Sequence, residues 1–327
     1  MRNICGKIIS EGADRNAAPD AHSLDELVAG ERFGILKDMA GDISLRPAGT
    51  NNPRTLHQRY CSDETRAAYQ RFAGSRILTG AYSLLTKRVF EALRQKQAGE
   101  LVVADAGIGE GMMWRHVLDA ASIETPPSRS VCLYGIDFSP SALWLAEAKL
   151  QISVAGFRVN LIPKCMRLDE IDFTVLLPAP DWLIASLSLH HLTMDRKRRL
   201  LNEARRAKIG RLTIVEVNAD LDNENGDCAF KNLAALHLYE DVFESVRNEL
   251  PEAESGAVLE CFYKPELVKI LSSDMKTLDE RFISLARWEK LVTGAGYRID
   301  SVTSTYCGVK GRYEIFVLEA QLPGDKE

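Results

Sequence analysis

A glycine-rich segment, LVVADAGIGEGMMW, spans residues 101–114 and is the first candidate for chemistry in this sequence. A short apolar run ends at Asp105, and Gly107, Gly109 and Gly111 then alternate with other residues. Glycines without side chains let a large group approach the backbone closely. The segment therefore predicts a loop against a bound dinucleotide, phosphate or S-adenosylmethionine, with a purely structural turn as the alternative.

The glycine spacing separates these alternatives. A nicotinamide fingerprint requires G-x-G-x-x-G, whereas Met112 stands at the position of its third glycine, and the Gly-Lys-Ser/Thr ending of a phosphate-binding loop is missing. The order acid-x-G-x-G-x-G instead resembles motif I of class I S-adenosylmethionine-dependent methyltransferases. Asp137 ends the next apolar run, where a carboxylate can accept hydrogen bonds from both ribose hydroxyls. We expect S-adenosylmethionine as the cofactor. The other residues predicted to contact it are Phe138, Cys165, Met166 and Ser186.

A histidine pair in SLSLHHLT is the second candidate for chemistry. A histidine at this position is similar to what many methyltransferases have, and an imidazole can take a proton near neutral pH. We predict His191 as the general base, with His190 as the second choice. The alternative is one histidine packed in the core and one exposed at a helix start. Metal binding by the pair is disfavoured because neighbouring side chains diverge.

Four further residues complete the predicted site. Glu216 and Asn218 end the fifth apolar run, where they can contact substrate or orient a histidine, or simply bind loop backbone. His237 and Tyr239 lie on a predicted amphipathic helix, where they either line the acceptor pocket or pack in the core. We predict Glu216 as catalytic and the other three as substrate-binding.

The elements that position these residues alternate between strand and helix. Five short apolar strands are predicted at residues 101–105, 131–137, 157–162, 181–189 and 211–217, with helices between them. A hairpin of two more strands follows, at residues 297–305 and 312–322. The pattern favours an α/β fold with a doubly wound, Rossmann-like sheet of seven strands, ending in an antiparallel hairpin.

Several segments in this order resemble the GRAS family, over roughly residues 60–322. They are AYSLLTKRVFEAL, VVADAGIGEGMMW, LTIVEVNADLD, FKNLAALHLYEDVFESVRNELP and RWEKLVTGAGYRI. The resemblance implies a class I methyltransferase core with a helical cap. The family's plant members act mainly as transcriptional regulators, but their long variable N-terminal region is not found here, which favours an enzyme.

The implied organisation has five parts. Residues 1–61 form an N-terminal extension without clear periodicity, apart from one or two short helices within SLDELVAGERFGILKDM. The rest divides into a first cap part (62–98), the cofactor-binding core (99–218), a cap insertion (219–283, including a helix at 265–275) and the C-terminal part of the core (284–327).

Composition limits the partners. A net charge of −5 disfavours nucleic acid as a partner, although DRKRRLLNEARRAK is strongly basic. Seven dispersed cysteines, with no signal peptide and no long apolar run, indicate a cytoplasmic protein that does not enter a membrane. We expect a small-molecule methyltransferase, with a homodimer left open. A GRAS-like binding or regulatory module without activity is the alternative, and a dehydrogenase is third. The sequence identifies neither the acceptor nor whether O, N or C is methylated.

Overall fold

A computed structural model describes residues 63–96, 99–123, 130–219, 221, 228–263, 267 and 281–324. Its strands are β1 (Leu101–Ala106), β2 (Ser130–Asp137), β3 (Ser153–Val154), β4 (Phe157–Cys165), β5 (Trp182–Ser186), β6 (Arg211–Val217), β7 (Arg298–Cys307) and β8 (Glu314–Gln321). They form one sheet in the order β3-β4-β2-β1-β5-β6-β8-β7. Strands β1, β2, β4, β5 and β6 are parallel, whereas β8 and β7 run antiparallel to their neighbours. The predicted class I methyltransferase-type sheet is confirmed.

An eighth strand was not expected from the sequence. The two-residue β3 pairs with the start of β4 across a loop of Ala155 and Gly156, with φ values of 49° and 80°. Two successive residues with positive φ suit a tight hairpin turn. The strand is too short to leave a period-two pattern in the sequence.

Helices cover both faces of the sheet. They are α1 (Asp63–Ala73), α2 (Arg76–Gln95), α3 (Met112–Ala121), α4 (Pro140–Leu150), α5 (Met194–Arg206), α6 (Cys228–Glu249), α7 (Glu252–Val258) and α8 (Leu285–Gly294), with a π-helical turn at Leu259–Tyr263. Alternate residues of β1 enter opposite cores: Leu101 and Val103 face the side of α1, α2, α3 and α6, whereas Val102 and Ala104 face α5 and α8. Successive strand side chains point to opposite faces, so this division follows from β geometry.

The chain order across the sheet creates a crevice. From β1 the chain moves outward through β2 to β4 and then returns to the other side of β1 as β5. Ligands of such sheets bind at the carboxyl ends of the strands beside this reversal. The crevice therefore lies above the carboxyl ends of β1 and β5. The loop with the three glycines follows β1, and the turn with the two histidines follows β5.

A helical cap stands over this edge of the sheet. Helix α1 packs against the π-helical turn through ring pairs whose centroids are 6.0 Å apart, Tyr69 with Phe262 and Phe72 with Tyr263. In α6, the buried Asp241 accepts hydrogen bonds from the backbone N–H groups of residues 310, 312 and 313, which ties α6 to the hairpin loop. Segments before β1 and after β6 thus meet above the crevice.

Two predicted regions fall outside the described residues: residues 1–61 and, apart from Leu267, the helix at 265–275. No described helix has the length and apolarity needed to cross a membrane.

Candidate active site

The three glycines of the loop after β1 have different reasons to be glycine. Gly107, Gly109 and Gly111 all have positive φ, at 88°, 54° and 74°. A Cβ on Gly107 would lie 2.3 Å from the Cβ of Ser188, and one on Gly111 would lie 3.1 Å from Leu150. A Cβ on Gly109 would have no protein atom within 4 Å. Packing within the protein therefore requires a glycine at 107 and leaves little room at 111, whereas Gly109 leaves open space.

Asp137 is held at the end of β2 beside this open space. Its Oδ2 accepts the backbone N–H of Gly109 at 3.0 Å, and its Oδ1 accepts that of Ser139 at 2.9 Å. Burial raises the pKa of Asp137, and these backbone hydrogen bonds partly oppose the rise. Each carboxylate oxygen has two lone pairs, so both retain acceptor capacity for a ligand. Ser139 also caps α4 and Pro140 opens it, as predicted.

Asp105 lies beneath the loop. It is 2% exposed, its Oδ2 accepts the indole N–H of Trp114 at 2.8 Å, and its Oδ1 is buried without a hydrogen-bond partner. Burial raises the pKa of Asp105 to about 7, against the effect of the Trp114 bond and with a smaller contribution from Asp137. Asp105 therefore braces the loop from below rather than facing the open space.

We call the space above the loop the glycine-loop cleft; it encloses about 840 Å³, part of it open to solvent. Its lining includes these predicted residues: Gly107, Gly109, Asp137, Phe138, Ser186 and His191. It also includes these residues, which sequence reasoning missed: Arg66, Tyr69, Glu110, Ser139, Ala142, Leu168, Leu187 and Ser188.

Glu110 connects the loop to two helices. Its Oε2 accepts hydrogen bonds from Lys149 Nζ of α4 at 2.5 Å and from Gln70 Nε2 of α1 at 2.7 Å. Arg66 Nε, also from α1, lies 4.0 Å from Oε1. Since the Glu110 side chain is only 5% exposed, these contacts fix α1 against the loop at the side of the cleft.

A second space, which we call the aromatic cleft, adjoins the first beneath the cap. It encloses about 600 Å³ and shares Tyr69 and Leu187 with the glycine-loop cleft. Its other lining residues are Phe72, His190, Val217, Leu238, Tyr239, Val242, Phe262, Tyr263, Phe282 and Tyr313. Leu187 has a φ of 49°, a backbone conformation that is unusual for a residue with a side chain and that occurs often at functional sites.

His190 and Glu216 form a positioned pair at the base of the aromatic cleft. The imidazole Nδ1 lies 2.9 Å from Glu216 Oε2, while Glu216 Oε1 accepts the backbone N–H groups of Leu189 and His190 at 2.8 and 3.1 Å. A carboxylate only accepts, so Nδ1 carries the proton of the neutral ring and Nε2 is the basic nitrogen. Glu216 is 1% exposed, and the two backbone N–H groups of the histidine turn hold its carboxylate in place.

His191, the first choice for the base, lies on the other side. It lines the glycine-loop cleft, whereas the His190 ring stacks against Phe282 at 4.7 Å in the aromatic cleft. The two imidazole centroids are 4.1 Å apart. The geometry thus favours His190 over His191 for proton transfer to a molecule in the aromatic cleft.

Besides Asp105, Gly111 and Glu216, four more predicted residues line neither cleft: Asn218, His237, Cys165 and Met166. Asn218 accepts the backbone N–H of Leu285 at 2.9 Å and donates to Glu314 at 2.7 Å, so its side chain connects the end of β6 with α8 and β8. His237 is half-buried on α6, two residues before the lining residue Tyr239 and therefore on a different side of the helix. Cys165 is exposed, with its thiol 3.8 Å from the carbonyl of Phe138, and the backbone N–H of Met166 donates to the carbonyl of Asp137.

Comparisons with known proteins show the fold. No protein-family model and no curated protein matches this chain. Among solved structures, SCL7 of Oryza sativa, a GRAS protein, is 16% identical with a TM-score of 0.62, covering 81% of this chain and 89% of that one. The citrinin polyketide synthase CMeT domain is 13% identical with a TM-score of 0.50, covering 82% of this chain and 59% of that one.

These likenesses define the class of fold. The chain has a class I methyltransferase fold of the GRAS-like form, as the order of the sequence segments predicted. Identities this low extend to the fold and no further, so the function has to be argued from the two clefts.

Proposed function

We propose that the chain is an S-adenosylmethionine-dependent methyltransferase that acts on a small-molecule acceptor. The observation that carries this proposal is the junction of the two clefts at Tyr69 and Leu187. One cleft has the features of a nucleoside site, and the other has a positioned base. Methyl transfer requires that a donor and an acceptor meet in this way, with the reacting atoms held close together.

The residues of the glycine-loop cleft fit the cofactor. Gly109 leaves open space, and Asp137 offers carboxylate oxygens to the ribose hydroxyls. Phe138 and Leu168 offer apolar surface to the adenine ring. When bound, S-adenosylmethionine supplies an electrophilic methyl group on a cationic sulfur.

The residues of the aromatic cleft suit an acceptor that must lose a proton. Glu216 holds Nδ1 of His190, which directs the basic Nε2 to act as general base and stabilises the imidazolium after proton uptake. Tyr69 and Phe72 of α1 close the cleft from above, and their apolar rings exclude water from the acceptor. We therefore assign the base to His190 and its orientation to Glu216.

Turnover tests the proposal. The protein is incubated with methyl-labelled S-adenosylmethionine and a small-molecule metabolite extract, and labelled products are separated by liquid chromatography. We expect a labelled product whose rate of formation falls on the order of 100-fold with Glu216→Gln and is retained with Asp119→Asn, an exposed change on α3. If label is found in no product with the wild-type protein, while the cofactor binds, the proposal of an enzyme fails.

The second candidate is a binding module without turnover. It follows from the resemblance to the GRAS family, whose plant members act mainly as transcriptional regulators. Such a module would bind S-adenosylhomocysteine or another ligand in the glycine-loop cleft and transfer nothing. A dehydrogenase, the third reading of the sequence, would bind NAD instead.

A further inference from the structure

The aromatic cleft carries information on the class of acceptor, and this inference rests on the proposed methyltransferase function. Among the described residues, its lining contains seven aromatic side chains, four aliphatic ones and His190, with no Asp, Glu, Lys or Arg. We propose that the acceptor is an uncharged, planar aromatic molecule that bears a phenol-type hydroxyl, and that this hydroxyl is methylated.

The lining of the aromatic cleft disfavours a charged acceptor. An ionised carboxylate or ammonium moved into this lining would lose its hydration without gaining an opposite charge from the lining, which is strongly unfavourable. Glu216, which holds His190 at the base of the cleft, is engaged by that imidazole and two backbone N–H groups. The cleft therefore selects a neutral molecule before reaction.

The rings around Tyr263 favour a flat acceptor. Tyr263 contacts three rings edge to face, those of Phe72, Tyr239 and Phe243, at centroid distances of 6.0, 6.1 and 6.4 Å. Aromatic groups prefer such edge-to-face and offset arrangements, so a further flat ring gains specific contacts here that a bulky saturated ring lacks.

The imidazole of His190 favours an acceptor with an acidic hydroxyl. A general base works best when the pKa of the group that it deprotonates is not far above the pKa of its own conjugate acid. A free imidazole has a pKa of about 6.5. A phenol, which ionises at about pH 10, is within reach of this base. An aliphatic hydroxyl is far less acidic, and its proton is not removed effectively by an imidazole.

The reaction balances without any other reagent. The phenolic oxygen forms a bond to the methyl carbon as its proton passes to Nε2 of His190, and the carbon–sulfur bond breaks with its electron pair left on sulfur. The products are an aryl methyl ether, S-adenosylhomocysteine and an imidazolium, which returns its proton to solvent. Glu216 stabilises that imidazolium through Nδ1.

Three bicyclic probes of similar size test the acceptor class: 2-naphthol, 2-naphthoate and the saturated alcohol 2-decalol. Calorimetric titrations use protein saturated with S-adenosylhomocysteine at pH 7.5. We expect the Kd of 2-naphthol to be at least tenfold lower than that of either other probe. Phe262→Ala should weaken 2-naphthol binding about tenfold or more while leaving S-adenosylhomocysteine affinity unchanged, because Phe262 lines only the aromatic cleft.

A naphthoate or decalol affinity equal to that of 2-naphthol would overturn the assignment. So would absence of 2-naphthol binding to protein that holds S-adenosylhomocysteine, whereas absence of S-adenosylhomocysteine binding would refute the proposed function itself. With S-adenosylmethionine, 2-methoxynaphthalene should form, and its formation should be lost in His190→Gln. Saturation with 2-naphthol and no ether would overturn the assigned reaction.

Discussion

Asp105 gives a quantitative test of the buried acid beneath the glycine loop. Its pKa is about 7 in the folded chain, against 3.8 for an unperturbed carboxyl. Because the folded pKa is raised, the protonated form is favoured by folding: its stabilisation is fully present below about pH 4 and is lost as the pH rises through 7. The full difference corresponds to about 4 kcal/mol, of which roughly 2–3 kcal/mol falls between pH 5 and pH 8.

Asp105→Asn removes this titration and retains an oxygen for the Trp114 indole N–H. We expect the free energy of unfolding of the variant, relative to wild type, to improve by roughly 2–3 kcal/mol from pH 5 to pH 8. Urea denaturation at pH 5, 6, 7 and 8 measures the difference, and other titrating groups cancel in it. Asp119→Asn, an exposed change on α3, serves as the control and should follow the wild type. Parallel wild-type and Asp105→Asn profiles would refute the raised pKa.

Four further variants test the glycine loop, the His190–Glu216 pair and the buried Lys197. Gly107→Ala should lower the free energy of unfolding by about 3 kcal/mol in urea denaturation, because its Cβ would meet a neighbouring side chain at 2.3 Å. Gly109→Ala, with open space at its Cβ, should cost only about 1 kcal/mol; an equal cost for both would contradict the packing argument. Glu216→Gln should lower kcat on the order of 100-fold with unchanged S-adenosylhomocysteine affinity, because the Nδ1–H of His190 loses its carboxylate acceptor. A variant with the wild-type kcat would show that the His190–Glu216 pair takes no part in catalysis. Lys197→Met should destabilise the chain by about 2–4 kcal/mol, since the fully buried ammonium donates to two carbonyls; an unchanged urea midpoint would remove that role.

Local patterns were sufficient to predict most of the fold. Period-two and period-3.6 patterns located the strands and helices around Asp137, and the Ser139 cap marks the start of α4. These features depend on a few neighbouring residues, so they can be read from the sequence. The missed strand β3 has only two residues, and its signal is a turn rather than an alternation.

The site depended on contacts that sequence spacing does not contain. His190 and His191 are neighbours, yet a short 3₁₀ turn sends their rings to different clefts. Arg66 and Tyr69 reach the glycine-loop cleft from α1, which lies about 40 positions before the loop, and only tertiary packing brings them there. Leu168 lines that cleft where Met166 was predicted, because the chain turns into a 3₁₀ segment after β4.

Calorimetric titration with S-adenosylhomocysteine tests the central claim most directly. The wild-type protein should bind one equivalent and should give no heat with NAD. Asp137→Ala should raise the Kd at least tenfold, which corresponds to a loss of about 1.4 kcal/mol, and Asp119→Ala should leave it unchanged. Absence of S-adenosylhomocysteine binding, binding of NAD in its place, or an unchanged affinity in Asp137→Ala would contradict the account.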